Sequence, residues 1–205
     1  MLGLHLKYAL QMEVIVMLML KQLVSWIGHI FIAITLALII SIFILQPTLV
    51  IGESMESTLH NEDKIIINKL VRTLKYELNY GDIVVIDSRV NRKRTIIDDI
   101  TDNLKNNSLA NKLFNRENES IYWIKRVIAK SGDTIQFKEG NVYINGEILK
   151  ESYIKEPAFY PTDEVIVVPQ DYIYVMGDNR NYSKDSRQIG AVPIDNVIGT
   201  LILRF

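Results

Sequence analysis

From Leu23 to Leu45 the chain carries no Asp, Glu, Lys or Arg. At ~1.5 Å of rise per residue, a helix of this length matches the ~30 Å hydrocarbon core of a bilayer. A buried core helix is the rival reading, but an interior helix with no charged face suits so small a domain poorly. A cleaved secretory signal fits no better, because no small-x-small pattern precedes Gln46-Pro47 and Phe43, Ile44 and Leu45 are bulky. Residues 23–45 are therefore expected to form a single-pass transmembrane anchor. Lys7 and Lys21 precede it and Glu53 and Glu56 follow it. That asymmetry favours a cytoplasmic N-terminus, an extracytoplasmic domain and a cell-membrane location. Residues 1–22 are set apart as an N-terminal segment: Val14 to Leu20 is apolar, yet Lys7, Glu13 and Lys21 interrupt it too often for a second span. Initiation at Met17 or Met19 would leave a more ordinary anchor.

Residues 46–205 remain for one globular domain, and at 205 residues and 48% hydrophobic the chain can supply its core. The 23 basic and 24 acidic residues nearly cancel and no Lys/Arg block occurs, so no nucleic-acid partner is expected. Without cysteine, the chain has no disulfide, thiolate metal site or thiol nucleophile. Of three histidines only His60 lies in the domain, which argues against a zinc site; no metal is expected, and no cofactor. Oligomeric state is not legible.

Short apolar runs with turn signals follow Pro47, at 64–67, 82–86, 122–129, 134–137, 142–144, 165–168 and 172–176. This spacing predicts a mostly β domain. Asn145-Gly146 between Val142-Tyr143-Ile144 and Glu147-Ile148-Leu149 predicts a two-residue hairpin, since both residues tolerate the positive φ of a type I′ turn. Residues 91–120 turn polar and asparagine-rich, with Ile97, Ile100, Leu104, Leu109 and Leu113 spaced loosely like one helix face. They are expected to be a surface insertion between two strands.

Two residues suggest chemistry. Strand alternation places Ile121, Trp123, Lys125, Val127 and Ala129 on one face and Tyr122, Ile124, Arg126 and Ile128 on the other. Lys125 then shares an apolar face without carboxylates, where desolvation disfavours an ammonium and a neutral amine can act as a base. Alone, it reads equally as an edge-strand lysine or one that snorkels to water. Ser54, after the extended Val50-Ile51, reads alone as a turn residue.

Read together and in order, the motifs resemble bacterial type I signal peptidases, the membrane-anchored Ser/Lys endopeptidases that remove signal peptides from exported preproteins. Gly52-Glu53-Ser54-Met55-Glu56-Ser57-Thr58-Leu59 is similar to the family's S-M-x-P-T-L box, and Gly81-Asp82-Ile83-Val84-Val85 to its G-D-[IV]-V-V strand. Residues Lys125 to Asp133 are similar to K-R-V-x-G-x-P-G-D, and Gly177 to Arg187 to G-D-N-R-x-x-S-x-D-S-R. The resemblance implies a β-rich, LexA-like catalytic core with an additional β subdomain, acting on signal peptides at the lipid bilayer. It assigns Ser54 as nucleophile and Lys125 as general base. It also implies that Ser183 hydrogen-bonds the Lys125 amine, with supporting ion pairs Arg126–Asp178 and Asp185–Arg187.

Ser57, Ala129 and Ser131 stand where the family has proline, glycine and proline. Gly52 stands where some members have a serine, which leaves the oxyanion to the main-chain N–H of Ser54. Val50, Met55, Leu59, Trp123 and Ile124 align with residues near the pockets for small side chains before the cut. Core packing is the alternative for them, and a lipid-interface position for Trp123. Other rivals are a non-catalytic anchored β-domain that binds exported proteins and a related peptidase of conjugation or pilus processing. A self-cleaving Ser/Lys repressor fits poorly, since an apolar span occupies the place of its DNA-binding domain.

Overall fold

The computed structural model describes residues 2–105, 121–156, 158 and 164–205. The chain divides into two units, Met1–Ser41 and Ile42–Phe205. The first consists of helix α1, Leu2–Phe43, whose stretch Met12–Phe43 is long and apolar enough to cross a membrane. The helix differs from the expected 23–45 at both ends. Lys7, Glu13 and Lys21 do not interrupt it, because helical hydrogen bonds run between main-chain groups and charged side chains can project outward. It stops at Phe43, four residues before Pro47, whose ring would clash with the Phe43 carbonyl in a continued helix.

The second unit is built on two antiparallel sheets. The chain supplies β1 (Leu45–Leu49), β2 (Lys64–Asn68), the single turn α2 (Leu70–Thr73), β3 (Ile83–Asp87), α3 (Ile96–Lys105) and β4 (Tyr122–Lys130). It continues through β5 (Thr134–Lys138), β6 (Asn141–Ile144), β7 (Glu147–Ile148), β8 (Val165–Val167), β9 (Tyr172–Met176), α4 (Ser186–Ile189), β10 (Val192–Pro193) and β11 (Val197–Arg204). The larger sheet has the order β1-β2-β11-β3-β4-β9-β10 and the smaller β7-β6-β5-β8. The domain is thus mostly β, as the spacing of apolar runs predicts. Ile144 pairs with Glu147 across Asn145 and Gly146, both at positive φ (53° and 85°), which is the predicted hairpin.

Strand β4 serves three clusters of buried side chains. Val127 packs with Val84, Ile86, Val175 and Val197, and Trp123 rests against that cluster. Tyr122 and Ile124 rest against a second one holding Val50, Met55, Leu59, Ile65 and Ile67. Beyond an irregularity in the β4–β9 register between Val127 and Ala129, both Ile128 and Ala129 enter a third, with Ile135, Phe137 and Val142 of the smaller sheet. The alternation expected over 121–129 therefore ends at Val127, because an extra residue in the ladder turns the side chains that follow it.

The insertion between β3 and β4 opens with α3, whose spaced isoleucines do not face a core. Ile97 and Ile100 of α3 are exposed, while Leu109 and Leu113 lie outside the described residues. Charge holds α3 instead. The buried Arg94 guanidinium pairs with Asp87 at 3.1 Å, Asp99 at 2.9 Å and Asp102 at 2.8 Å, and Arg72 also reaches Asp99 at 2.9 Å. The fully buried Asn196 accepts from the Arg94 N–H at 2.8 Å and donates to the carbonyls of Arg89 and Arg92 at 3.1 and 3.0 Å. Asn196→Ala strands these main-chain groups away from water, so it is expected to lower stability by about 3 kcal/mol, read as a reduced melting temperature. An unchanged melting temperature would contradict the clamp.

Candidate active site

Ser54 lies on a turn fixed from several sides. At its entry, the Val50 N–H donates to Asp63 and the Glu62 N–H to Val50, both at 2.9 Å, while the Gly52 N–H donates to Asn61 Oδ1. Gly52 sits at φ +94°, a conformation costly for any residue with a Cβ. Within the turn, the N–H groups of Thr58 and Leu59 both donate to the Met55 carbonyl, and the side chains of Met55 and Leu59 sink into the core. The Ser54 carbonyl accepts from the Asn179 N–H at 3.1 Å, and Asn179 Nδ2 donates to the Glu53 carbonyl. Among the described residues no group accepts from the Ser54 N–H.

Lys125 reaches this turn from β4. Its Nζ lies 2.8 Å from Ser54 Oγ and donates to the Ile124 carbonyl at 2.9 Å, and the residue is only 3% exposed. No carboxylate grips the amine among the described residues. Desolvation lowers its pKa from 10.5 to about 8; the negative charges of Asp185 and Asp178 oppose this and Arg187 supports it. Burial alone does not single out a base. Lys69, also 3% exposed, is lowered to about 8 chiefly by desolvation, but its Nζ faces Gln46 Oε1 at 3.1 Å. Contact with a hydroxyl distinguishes Lys125.

Two ion pairs flank the dyad. Arg126 grips Asp178 through Nε and Nη2 at 2.8 and 2.6 Å, and donates to the Gly81 carbonyl and to Thr58 Oγ1. Since Thr58 Oγ1 also donates to Asp178 Oδ2, the pair clamps the far end of the Ser54 turn. Asp185 caps α4, accepts from the Gly177 N–H at 3.0 Å and pairs with Arg187 through Nε at 2.8 Å. Burial would raise the Asp185 carboxyl, but hydrogen bonds and charge from Arg187 and the Gly177 N–H hold it below the ordinary range.

One expected contact differs in the structure. Ser183 is buried beside the site, yet among the described residues its Oγ has no hydrogen-bond partner, Lys125 included. It adds weakly to the forces that keep Asp185 ionised, short of hydrogen-bond geometry. It packs on Gly177, where a Cβ would collide with Ser183 and with the Ser54 carbonyl, so only glycine allows this approach. Val50, Met55 and Leu59 are 3%, 1% and 1% exposed. All three pack in the apolar cluster beneath the Ser54 turn. Trp123 and Ile124 are partly exposed on opposite faces of β4, and Lys125 Nζ and Lys184 Nζ each lie under 6 Å from the centre of the Trp123 ring. Thr58, Gly177 and Asn179 lay inside the motifs read from the sequence without being singled out. Their importance comes from contacts across the fold.

The family model for signal peptidase, peptidase S26, matches residues 23–205. Signal peptidase I of Bacillus licheniformis is 32% identical over 88% of this chain and 87% of its own length. Signal peptidase I T of Bacillus subtilis is 34% identical over 86% and 81%, and a probable signal peptidase I-2 of Synechocystis 35% over 84% and 68%. A crystal structure of a signal peptidase I from Enterococcus faecalis aligns with 62% of this chain and 98% of its own at 23% identity and a TM-score of 0.42.

Burying the Lys125 amine has a pH-dependent cost. Lowering its pKa from 10.5 to about 8 corresponds to about 3 kcal/mol lost to the folded state, in full below pH 8 and vanishing above 10.5. Lys125→Met is therefore expected to raise the melting temperature at pH 7, with the gain shrinking as pH rises toward 10.5. A variant less stable than wild type at pH 7 would contradict this.

Proposed function

The chain belongs to the signal peptidase family, peptidase S26, and we propose that Ser54 and Lys125 are the dyad with which it cleaves signal peptides from preproteins. The 2.8 Å contact between Ser54 Oγ and a buried amine without a carboxylate partner carries this reading. Neutral Lys125 accepts the Ser54 proton as Oγ attacks the scissile carbonyl. The free Ser54 N–H is available to the oxyanion, which it stabilises more than the planar carbonyl. Collapse of the tetrahedral intermediate breaks the peptide bond, and the Lys125 ammonium protonates the departing amine. An ester then links the signal peptide to Ser54. Lys125 next takes a proton from water, hydroxide adds to the ester, and the second collapse returns the proton to Ser54 Oγ and frees the signal peptide.

The substrate is an extended segment entering beside β4. Pairing with β9 begins only at Arg126, so, among the described residues, 122–125 have a strand neighbour on the β3 side alone. This edge can take a further strand, with main-chain hydrogen bonds for affinity and shallow contacts at Trp123 and Ile124 for small side chains. Apolar helix α1 anchors the protein in the membrane, with residues 46–205 outside and the N-terminus in the cytoplasm, as the charges flanking the span favour.

Ser54→Ala and Lys125→Ala are each expected to reduce cleavage of a model preprotein in detergent by at least 10³-fold while retaining cooperative thermal unfolding. Turnover at wild-type rate by either variant would refute the dyad. The wild-type kcat/KM is expected to fall about tenfold per pH unit below about 8, since protonation removes the base, and to level off above it. A profile flat from pH 5 to 9 would contradict a lysine base.

A further inference from the structure

The loop over residues 150–156, which leaves the smaller sheet after β7, touches the dyad's supports at three points. Glu151 forms a buried ion pair with Arg180, whose Nε donates to the Gly177 carbonyl at 3.0 Å. Tyr153 lays its ring over the Arg126 guanidinium, 4.0 Å from Cζ to the ring centroid, and its hydroxyl donates to Glu151 at 3.0 Å. Lys155 Nζ donates to Glu56 Oε2 at 2.6 Å, two residues beyond Ser54.

Arg126 can be covered in this way only from its face. Its edge is occupied by both Asp178 oxygens, the Gly81 carbonyl and Thr58 Oγ1. The flat ring excludes water from the guanidinium of a side chain that is 11% exposed, and attraction to the ring face strengthens as water is removed. Glu151 holds the hydroxyl and Arg180 holds Glu151, a secondary restraint on a ring already seated against the guanidinium. A chain of contacts thus runs from the smaller sheet through Tyr153 and Arg126 to Thr58, in the turn that carries Ser54.

We propose that Tyr153 is a positioning residue for the reaction, holding the Arg126–Asp178–Thr58 clamp in the geometry that presents Ser54 to Lys125, with Lys155 as a second point of attachment on the same turn. The inference rests on the dyad reading above. Misplacing Ser54 Oγ lowers the rate of acylation without altering the strand edge that binds substrate, so the effect belongs in kcat rather than KM. The ring, not the hydroxyl, covers the guanidinium.

The test compares Tyr153→Leu, Tyr153→Phe and Ser54→Ala in full-length protein in detergent, with a model preprotein and with melting temperatures recorded in parallel. Tyr153→Leu is expected to lower kcat about tenfold with KM within twofold of wild type, and Tyr153→Phe to restore kcat to within threefold. A Leu variant with wild-type kcat, a change carried by KM alone, or a Phe variant as impaired as Leu would overturn the proposal. An active Ser54→Ala would instead defeat the dyad reading. Should Tyr153→Leu fail to fold, the exposed pair supplies the decision. Lys155→Glu is expected to lower kcat at least threefold and the double variant Glu56→Lys/Lys155→Glu to recover it. A single variant with wild-type kcat, or no recovery in the double, would overturn the proposal.

Discussion

Keeping the Lys125 amine out of water is the constraint from which the rest of the site follows. A lysine in solution is an ammonium at neutral pH and cannot accept the proton of a serine. Ionised partners tend to raise such a pKa, and Asp185 and Asp178 do act in that direction. Their hydrogen bonds, however, go elsewhere: Asp178 is spent on Arg126 and Thr58, and Asp185 on Arg187 and the Gly177 N–H. The ion pairs thus neutralise carboxylates that would otherwise stabilise the ammonium, while pinning the Ser54 turn and the start of α4.

The cost of burying that amine falls on the core. Strand β4 carries Lys125 between neighbours committed to two separate apolar clusters and continues into a third shared with the smaller sheet. Such a strand has little freedom to slide or rotate, since a shift of one residue would move every side chain to the wrong face. Met55 and Leu59 give the Ser54 turn a similar foundation, and Gly177 allows the second wall of the site to approach it. The site is rigid because each half is rooted in packing that the fold requires anyway.

Much of this was legible in the residues. Apolar runs marked most strands, Asn145-Gly146 marked a hairpin, and ordered motifs singled out Ser54 and Lys125. The misses have physical causes. Strand β1 went unread because Gln46, Pro47 and Thr48 leave no apolar run, and residues 197–204 form a strand whose partners, β2 and β3, lie far away in sequence. The ladder irregularity that ends the alternation at Val127 leaves no local signature, nor does the Arg94 cluster that holds α3 by charge. Ser183 was expected to touch the amine, but its distance from Lys125 depends on how two loops pack. Tyr153 belonged to no motif, and its place over Arg126 appears only when the two sheets are seen together.

The central claim is that Lys125 is a neutral amine at moderately alkaline pH while remaining next to a hydroxyl. Its titration is the most direct test, followed by NMR on isotope-labelled lysine side chains, with the resonance assigned by its loss in Lys125→Met. A midpoint near 8 is the expected result. A Lys125 signal titrating with solvent-exposed lysines near 10.5 would mean that water reaches the amine, and would contradict the account.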